Sequence, residues 1–336
     1  MPNSELTQIL KTVSRSFYLS IRVLPLAMRE PISIAYLLAR AADAIADTAA
    51  IPNKERLIHL LNFRNLVSGD NSANIESLLS LIPKIEHTGE RELIMQLPAV
   101  FIAFSKLPTT DFSAVKKVVS TLTIGMEKDL TFFSDSTRNN NIKALPDDNA
   151  LDEYTYYVAG CVGEFWTDLS IQHTPSLSHW KKEEMLQIGI QFGKALQLTN
   201  ILRDIAKDAK LNRCYLPSTN LEQYGLNTDL LLNKSNNTKF EPIISKWLKQ
   251  ADSHFNSAEI YLLSIPRTCL RLRLAALWPI LIGLSTLKLI KQKQNFLDSD
   301  INIKVNRKWV YKMLLISIPA SFSNAVLRYW IKKARN

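Results

Sequence analysis

Apolar residues recur along most of this chain at intervals of three and four, the spacing of one face of an amphipathic helix. That pattern predicts helices at about Glu30 to Ala49, Lys54 to Leu66, Glu90 to Ser105 and Phe112 to Phe133. Further helices are predicted at about Ala150 to Ser170, Lys181 to Asp208, Pro242 to Leu263 and Leu270 to Gln292, with two shorter ones at Asn306 to Ile316 and Pro319 to Lys333. Strands with alternating β-branched residues are not expected. Ser136 to Asn149 (STRNNNIKALPDDN) and Asn233 to Lys239 (NKSNNTK) read as exposed loops, neither long enough to link two domains. No repeat at a solenoid period interrupts the pattern. The expectation is a single all-α domain over residues 1–336, with a basic helical segment at about 304–336.

Composition sharpens this picture in three places. Only 9 glycines occur in 336 residues, which suits long helices better than a turn-rich sheet protein. Cys161, Cys214 and Cys269 lie far apart and form neither a disulfide framework nor a zinc spacing, so a reducing compartment is expected. The N-terminal MPNSELTQILKTVSRSF lacks the basic and apolar regions of a signal peptide, and no run of about eighteen uninterrupted apolar residues is present.

Charge is unevenly placed. Lys plus Arg exceed Asp plus Glu by 41 to 31, and eleven Lys/Arg against two acidic residues fall between Lys288 and the C-terminus. Such a segment is either a solvated helical face or a surface for an anionic partner: a membrane, nucleic acid or a diphosphate. The apolar stretch Trp309 to Ile331 is broken by Lys312, Asn324 and Arg328, which favours lying on a bilayer over crossing it.

Two acidic pairs carry the candidate chemistry. Asp43 and Asp47 (ARAADAIADT), and Asp204 and Asp208 (TNILRDIAKD), are each spaced i, i+4 in a predicted helix, so their carboxylates share a face. Like charges so placed repel unless a cation neutralises them, and Mg²⁺ binds through a few carboxylates plus phosphate oxygens. The spacing alone is weak, because Asp148 and Asp152 match it at a helix start, where acidic residues commonly cap. The neighbours of the first two pairs differ: Arg40, Arg203 and Arg213 suit a site that also grips an anion.

Four blocks resemble the squalene/phytoene synthase family over about Val13 to Lys308: SRSFYLSIRVLP (Ser14 to Pro25), YLLARAADAIADT (Tyr36 to Thr48), YTYYVAGCVG (Tyr154 to Gly163) and QLTNILRDIAKDAKLNRCYLP (Gln197 to Pro217). The resemblance implies an isoprenoid-synthase helical bundle around an apolar cavity. It implies Mg²⁺ at Asp43, Asp47, Asp204 and Asp208, and a flap from Ser14, Arg15, Ser16 and Phe17 whose arginine reaches diphosphate. Tyr36, Arg40, Arg203 and Arg213 match residues that contact or orient diphosphates. Tyr157 matches a tyrosine that helps remove a proton, and Gln197 and Asn200 match polar residues of the reaction centre. Taken without the resemblance, Tyr157 fits core packing, Gln197 and Asn200 fit helix-packing hydrogen bonds, and SRSF fits a capped helix start.

Within the family the motifs divide. The first two blocks and ALWPILIGLSTL resemble squalene synthases, whereas QLTNILRD with NRCYLP resembles phytoene and dehydrosqualene synthases. Lys304 and Arg307, with Asn200, resemble an NADPH site of the reducing enzymes; no G-x-G-x-x-G fingerprint is present. Ala275 stands where squalene synthases tend to place an aromatic ring facing the carbocation. The expected reaction joins two farnesyl diphosphates head to head through presqualene diphosphate, then reduces the product to squalene with NADPH. Non-reductive dehydrosqualene or phytoene synthesis is the alternative, and a basic helical membrane adaptor without catalysis is a distant one. A cytoplasmic protein held peripherally at the inner face of an anionic membrane is expected, with no nucleic acid partner.

Overall fold

The computed structural model describes residues 4–14, 17–134, 141–293, 296–298, 300 and 303–336. Its backbone contacts cluster into two compact units: Met1–Phe132 with Phe165–Pro175, and Phe133–Glu164 with Ser176–Asn336.

The first unit runs through α1 (Ser4–Ser14), α2 (Phe17–Val23), α3 (Leu26–Asp47), α4 (Asn53–Ser68), α5 (Ile75–Leu79), α6 (Thr88–Met95), α7 (Leu97–Ser105) and α8 (Thr109–Phe132). α3 is its axis and packs against α4, α6, α7 and α8. From Pro31 to Asp47 every α3 residue is buried except Tyr36, Ala39, Arg40, Asp43 and Asp47. The helix is therefore apolar nearly all round, and its polar residues form one stripe. The helix expected over Glu90 to Ser105 is two, divided at Gln96, because Pro98 in the first turn of α7 has no N–H with which to continue the ladder.

The second unit contains β1 (Lys143–Leu145), α9 (Asp148–Thr155), a π-helical turn (Tyr156–Gly160) and the start of α10 (Cys161–His173). It continues through α11 (Lys182–Lys210), β2 (Arg213–Pro217), α12 (Ser218–Gln223), α13 (Asn237–Ser264), α14 (Leu270–Lys293), α15 (Arg307–Ala320) and α16 (Asn324–Arg335). Its core is α11 against α13 and α14, with α15 and α16 packed on α14. α14 is long and apolar enough to cross a membrane, yet 61% of its most apolar stretch is buried, as befits a core helix.

Sequence and structure part at four places here. β1 and β2 pair in parallel where no strand was expected; at three and five residues, with Pro217 ending the second, they are too short to show alternation. The helix expected over Ala150 to Ser170 is interrupted by the π turn. The helix expected from Pro319 starts instead at Asn324, where the Ser323 hydroxyl accepts the Val326 N–H at 3.4 Å, and Pro319 belongs to the end of α15. The cap of α9 is Asp147, which accepts the Ala150 N–H at 2.8 Å, rather than Asp148.

Two glycines explain how the π turn meets α11. A Cβ on Gly193 would lie 2.2 Å from the Ala159 carbonyl oxygen, and one on Gly163 would lie 1.9 Å from that of Gly189. The backbones approach so closely that only glycine fits. This crossing fixes the segment carrying Tyr157 against the helix carrying Gln197 and Asp204.

Candidate active site

In the first unit, Tyr36, Arg40, Asp43 and Asp47 occupy i, i+4, i+7 and i+11 on α3, one face of the helix. The Tyr36 hydroxyl donates to the Val13 carbonyl at 3.3 Å, tying the stripe to the end of α1. Ser14 donates back to the Leu10 carbonyl and is buried. Arg15 and Ser16 lie outside the described residues, and Phe17 opens α2. Arg40 reaches Asp43 at 3.5 Å and forms a tighter ion pair with Glu90 on α6.

Burial, followed by the charge of Asp47, pushes the Asp43 carboxyl up to about 7, against the pull of Arg40. Its side chain still keeps 41% of its surface open, so a cation can reach it.

In the second unit, α11 presents a matching stripe. From Gly193 to Asp208 the residues that escape burial are Leu196, Gln197, Asn200, Arg203, Asp204, Lys207 and Asp208, all at helical intervals of three and four. Asn200 donates to the Gln197 side-chain carbonyl at 3.4 Å. Arg203 places both Nε, at 3.0 Å, and Nη2 on one oxygen of Asp204, while Lys207 reaches the other at 3.3 Å. Burial would raise the Asp204 carboxyl, but Arg203 and then Lys207 outweigh it and hold it below its ordinary range.

After α11 the chain reverses at Asn212, whose φ of 60° is left-handed, and this turn sends Arg213 into β2. The Arg213 guanidinium sits over the Phe133 ring, 5.8 Å from its centroid. Tyr215 stacks on Tyr154 at 4.5 Å and meets Phe133 edge-on at 5.5 Å. The YTYYVAG and NRCYLP blocks are therefore joined through aromatic packing. Tyr157 lies half-buried in the π turn, with the Cys161 thiol on its carbonyl at 3.1 Å. π turns of this kind concentrate at functional positions. Its neighbour Tyr156 donates to Glu164 at 3.0 Å, and burial together with that carboxylate pushes the Tyr156 hydroxyl up to about 12.

Lys304 and Arg307 are both exposed, ahead of and at the start of α15. Among the described residues no hydrogen bond or ion pair joins either of them to Asn200. Nor do any three His, Cys, Asp or Glu side chains converge into a ready-made metal cage. The third acidic pair has a separate explanation: Asp152 pairs with Lys194 at 2.6 Å and Asp148 with Lys246 at 2.5 Å, so each carboxylate has its own cation.

Sequence reasoning missed Glu90, Lys207, Phe133 and Asn212. Glu90 carries no local signal, being 50 positions from Arg40. Lys207 was visible as the i+3 neighbour of Asp204, and an asparagine just past a helix end is a recognised left-handed stop.

The sequence profile of squalene/phytoene synthase matches residues 10–309, a span that includes both stripes. A bifunctional lycopene cyclase/phytoene synthase of Phaeosphaeria nodorum is 29% identical over 260 residues, covering 76% of this chain and 41% of its own length. The chain thus spans about two fifths of that relative. Among solved structures, a TcSQS with a bound ligand superposes at a TM-score of 0.80 and 22% identity, covering 99% of this chain and 90% of its own. A dehydrosqualene synthase with ligand superposes at 0.65 and 22% identity, covering 98% and 95%. At these identities the structural likeness establishes the fold, an all-α isoprenoid-synthase fold like that of squalene synthase. With the profile running through nearly the whole chain, the chain belongs to the squalene/phytoene synthase family.

Proposed function

We propose that the protein joins two farnesyl diphosphates head to head through presqualene diphosphate and that the product is reduced to squalene. The observation that carries the coupling step is the pair of polar stripes, on α3 and α11, each with two aspartates four residues apart and an arginine beside them. Two diphosphates need two such places.

Asp43 with Asp47, and Asp204 with Asp208, fit Mg²⁺ by their donor chemistry, as carboxylate pairs each on one helix face. Mg²⁺, when bound, supplies charge that stabilises diphosphate as a leaving group. Arg40, Arg203 and Arg213 grip diphosphate oxygens, and Tyr36 holds the first stripe to the end of α1. As the cyclopropane closes, a proton leaves carbon, and Tyr157 is the group assigned to guide it. Gln197 and Asn200 line the same face of α11 as the aspartates and orient the allylic cation's surroundings. Such a cation must be kept from water, and the apolar residues that border the stripe on α11 suit that task.

Lys304 and Arg307 fit the phosphates of NADPH as exposed cations, and Asn200 is the third residue of this reading. NADPH, when bound, supplies the hydride of the last step. A second reading omits it. One observation favours non-reductive dehydrosqualene or phytoene synthesis: the Phaeosphaeria nodorum relative is named a bifunctional lycopene cyclase/phytoene synthase.

Product analysis by gas chromatography–mass spectrometry tests this. The protein is incubated with farnesyl diphosphate and Mg²⁺, with and without NADPH. Squalene appearing with NADPH alone supports the first reading. Dehydrosqualene in both tubes, or phytoene from the C20 substrate, supports the second. No coupled product from either substrate would overturn both.

A further inference from the structure

The end of the chain presents a surface that the coupling chemistry does not use. α15 buries only Met313, Ser317 and Ala320 against the second unit. On its opposite side Tyr311, Leu315 and Ile318 fall at i, i+4 and i+7, one above another, at 64%, 73% and 47% exposure. Phe322, in the turn after the helix, is 53% exposed, and Ile316 is exposed nearer the buried side of the helix. Single exposed apolar residues are ordinary; five large ones within twelve positions mark an interaction surface.

The charge around this face indicates what meets it. Residues 303–336 hold eight Lys/Arg and no Asp or Glu. Lys308 and Lys312 flank the apolar row on α15, while Arg328, Lys332 and Lys333 are exposed on α16. A second copy of the chain docking through the same face would bring this positive rim against itself, since a twofold contact places one patch on both sides. An anionic bilayer complements both features at once: acyl chains for the apolar row, lipid phosphates for the lysines.

We propose that α15 and the Ser321–Ser323 turn form a membrane-inserting edge. Tyr311, Leu315, Ile318 and Phe322 enter the headgroup–acyl boundary of an anionic bilayer, with Lys308 and Lys312 at the phosphates. This narrows the contact predicted by the basic segment to one helix face, and it does not depend on which product the active site makes. The mode is insertion, so salt weakens it without abolishing it.

The test is co-sedimentation of the full chain with vesicles of equal parts phosphatidylcholine and phosphatidylglycerol, against phosphatidylcholine alone. Wild type is expected to pellet with the anionic vesicles and to persist in part at high salt. Leu315→Glu with Ile318→Glu is expected to lower the partition by on the order of tenfold or more, while diphosphate release from farnesyl diphosphate in vesicle-free buffer is unchanged. The Phe322→Trp variant keeps the apolar face; its added indole emission should blue-shift on binding and be quenched by brominated acyl chains. Wild type remaining in the supernatant would overturn the proposal. So would full binding by the double variant, or indole emission from Phe322→Trp that brominated lipid leaves unquenched, since either leaves charge attraction without insertion. A wild-type dimer split by the double variant would overturn it in favour of a second copy.

Discussion

On α3, Tyr36, Arg40, Asp43 and Asp47 stand at i, i+4, i+7 and i+11; on α11, Gln197, Asn200, Asp204 and Asp208 stand at i, i+3, i+7 and i+11. The acidic spacing is the same, yet the two first aspartates shift in opposite directions. Asp204 holds Arg203 and Lys207 and falls below its ordinary range, whereas Asp43 shares Arg40 with Glu90 and rises to about 7. Burial pushes both carboxyls up; at Asp204 two cations overcome it, whereas at Asp43 burial and the Asp47 charge prevail over the one arginine. Asp148 and Asp152 extend the lesson: at the same spacing, a lysine for each carboxylate makes a structural feature. By this comparison Asp204 is ionised at rest, and a divalent cation placed beside Asp43 is expected to pull its carboxyl back down.

The largest effect is expected where the two stripes act alike. Asp43→Asn and Asp204→Asn should each lower turnover by about 10²–10³-fold, as removal of an electrostatic contributor to leaving-group stabilisation does, with unchanged helicity by circular dichroism. A variant that kept near-wild-type turnover would remove its stripe from the account.

Substitutions of the cationic partners should separate the stripes. Arg203→Lys loses the paired N–H groups on Asp204 and is expected to cost about tenfold in kcat/KM. Glu90→Gln acts the other way, freeing Arg40 for substrate, so KM for farnesyl diphosphate should fall by about threefold. A rise in KM would show that Glu90 holds Arg40 in its working position.

The smallest effect is one of stability. A carboxyl raised in the folded state binds more protons there than in the unfolded chain, so its contribution to stability falls as pH rises from the ordinary carboxylate range through about 7. Without divalent cations, Asp43→Asn should melt roughly 1–3 °C above wild type at pH 8, solvent access keeping the gap small, and the gap should close near pH 4. A variant that melted lower at pH 8 would contradict the raised state.

Much of this was legible in the chain. The long helices, both stripes and the arginines beside them follow from apolar periodicity, because a helix buried nearly all round leaves its few polar residues conspicuous. What the sequence concealed depends on distant residues. Glu90 meets Arg40 across 50 positions, and Phe133 meets Arg213 across the β1–β2 pairing, which is too short to show alternation. The π turn at Tyr156–Gly160 was hidden because its apolar pattern continues the helix on either side, and Gly163 and Gly193 show how closely the backbones approach there only once their neighbours are known. Exposure of the α15 face was also illegible, since Tyr311, Leu315 and Ile318 look like core positions until nothing in the second unit covers them.

The most direct measurement is calorimetric titration of inorganic diphosphate with Mg²⁺ into wild type, Asp43→Asn and Asp204→Asn. Two stripes that each hold one diphosphate predict two binding events per chain in wild type and one in each variant, with a different one lost in each. A single event in wild type that survives both substitutions would contradict the account of α3 and α11 as two diphosphate-holding stripes.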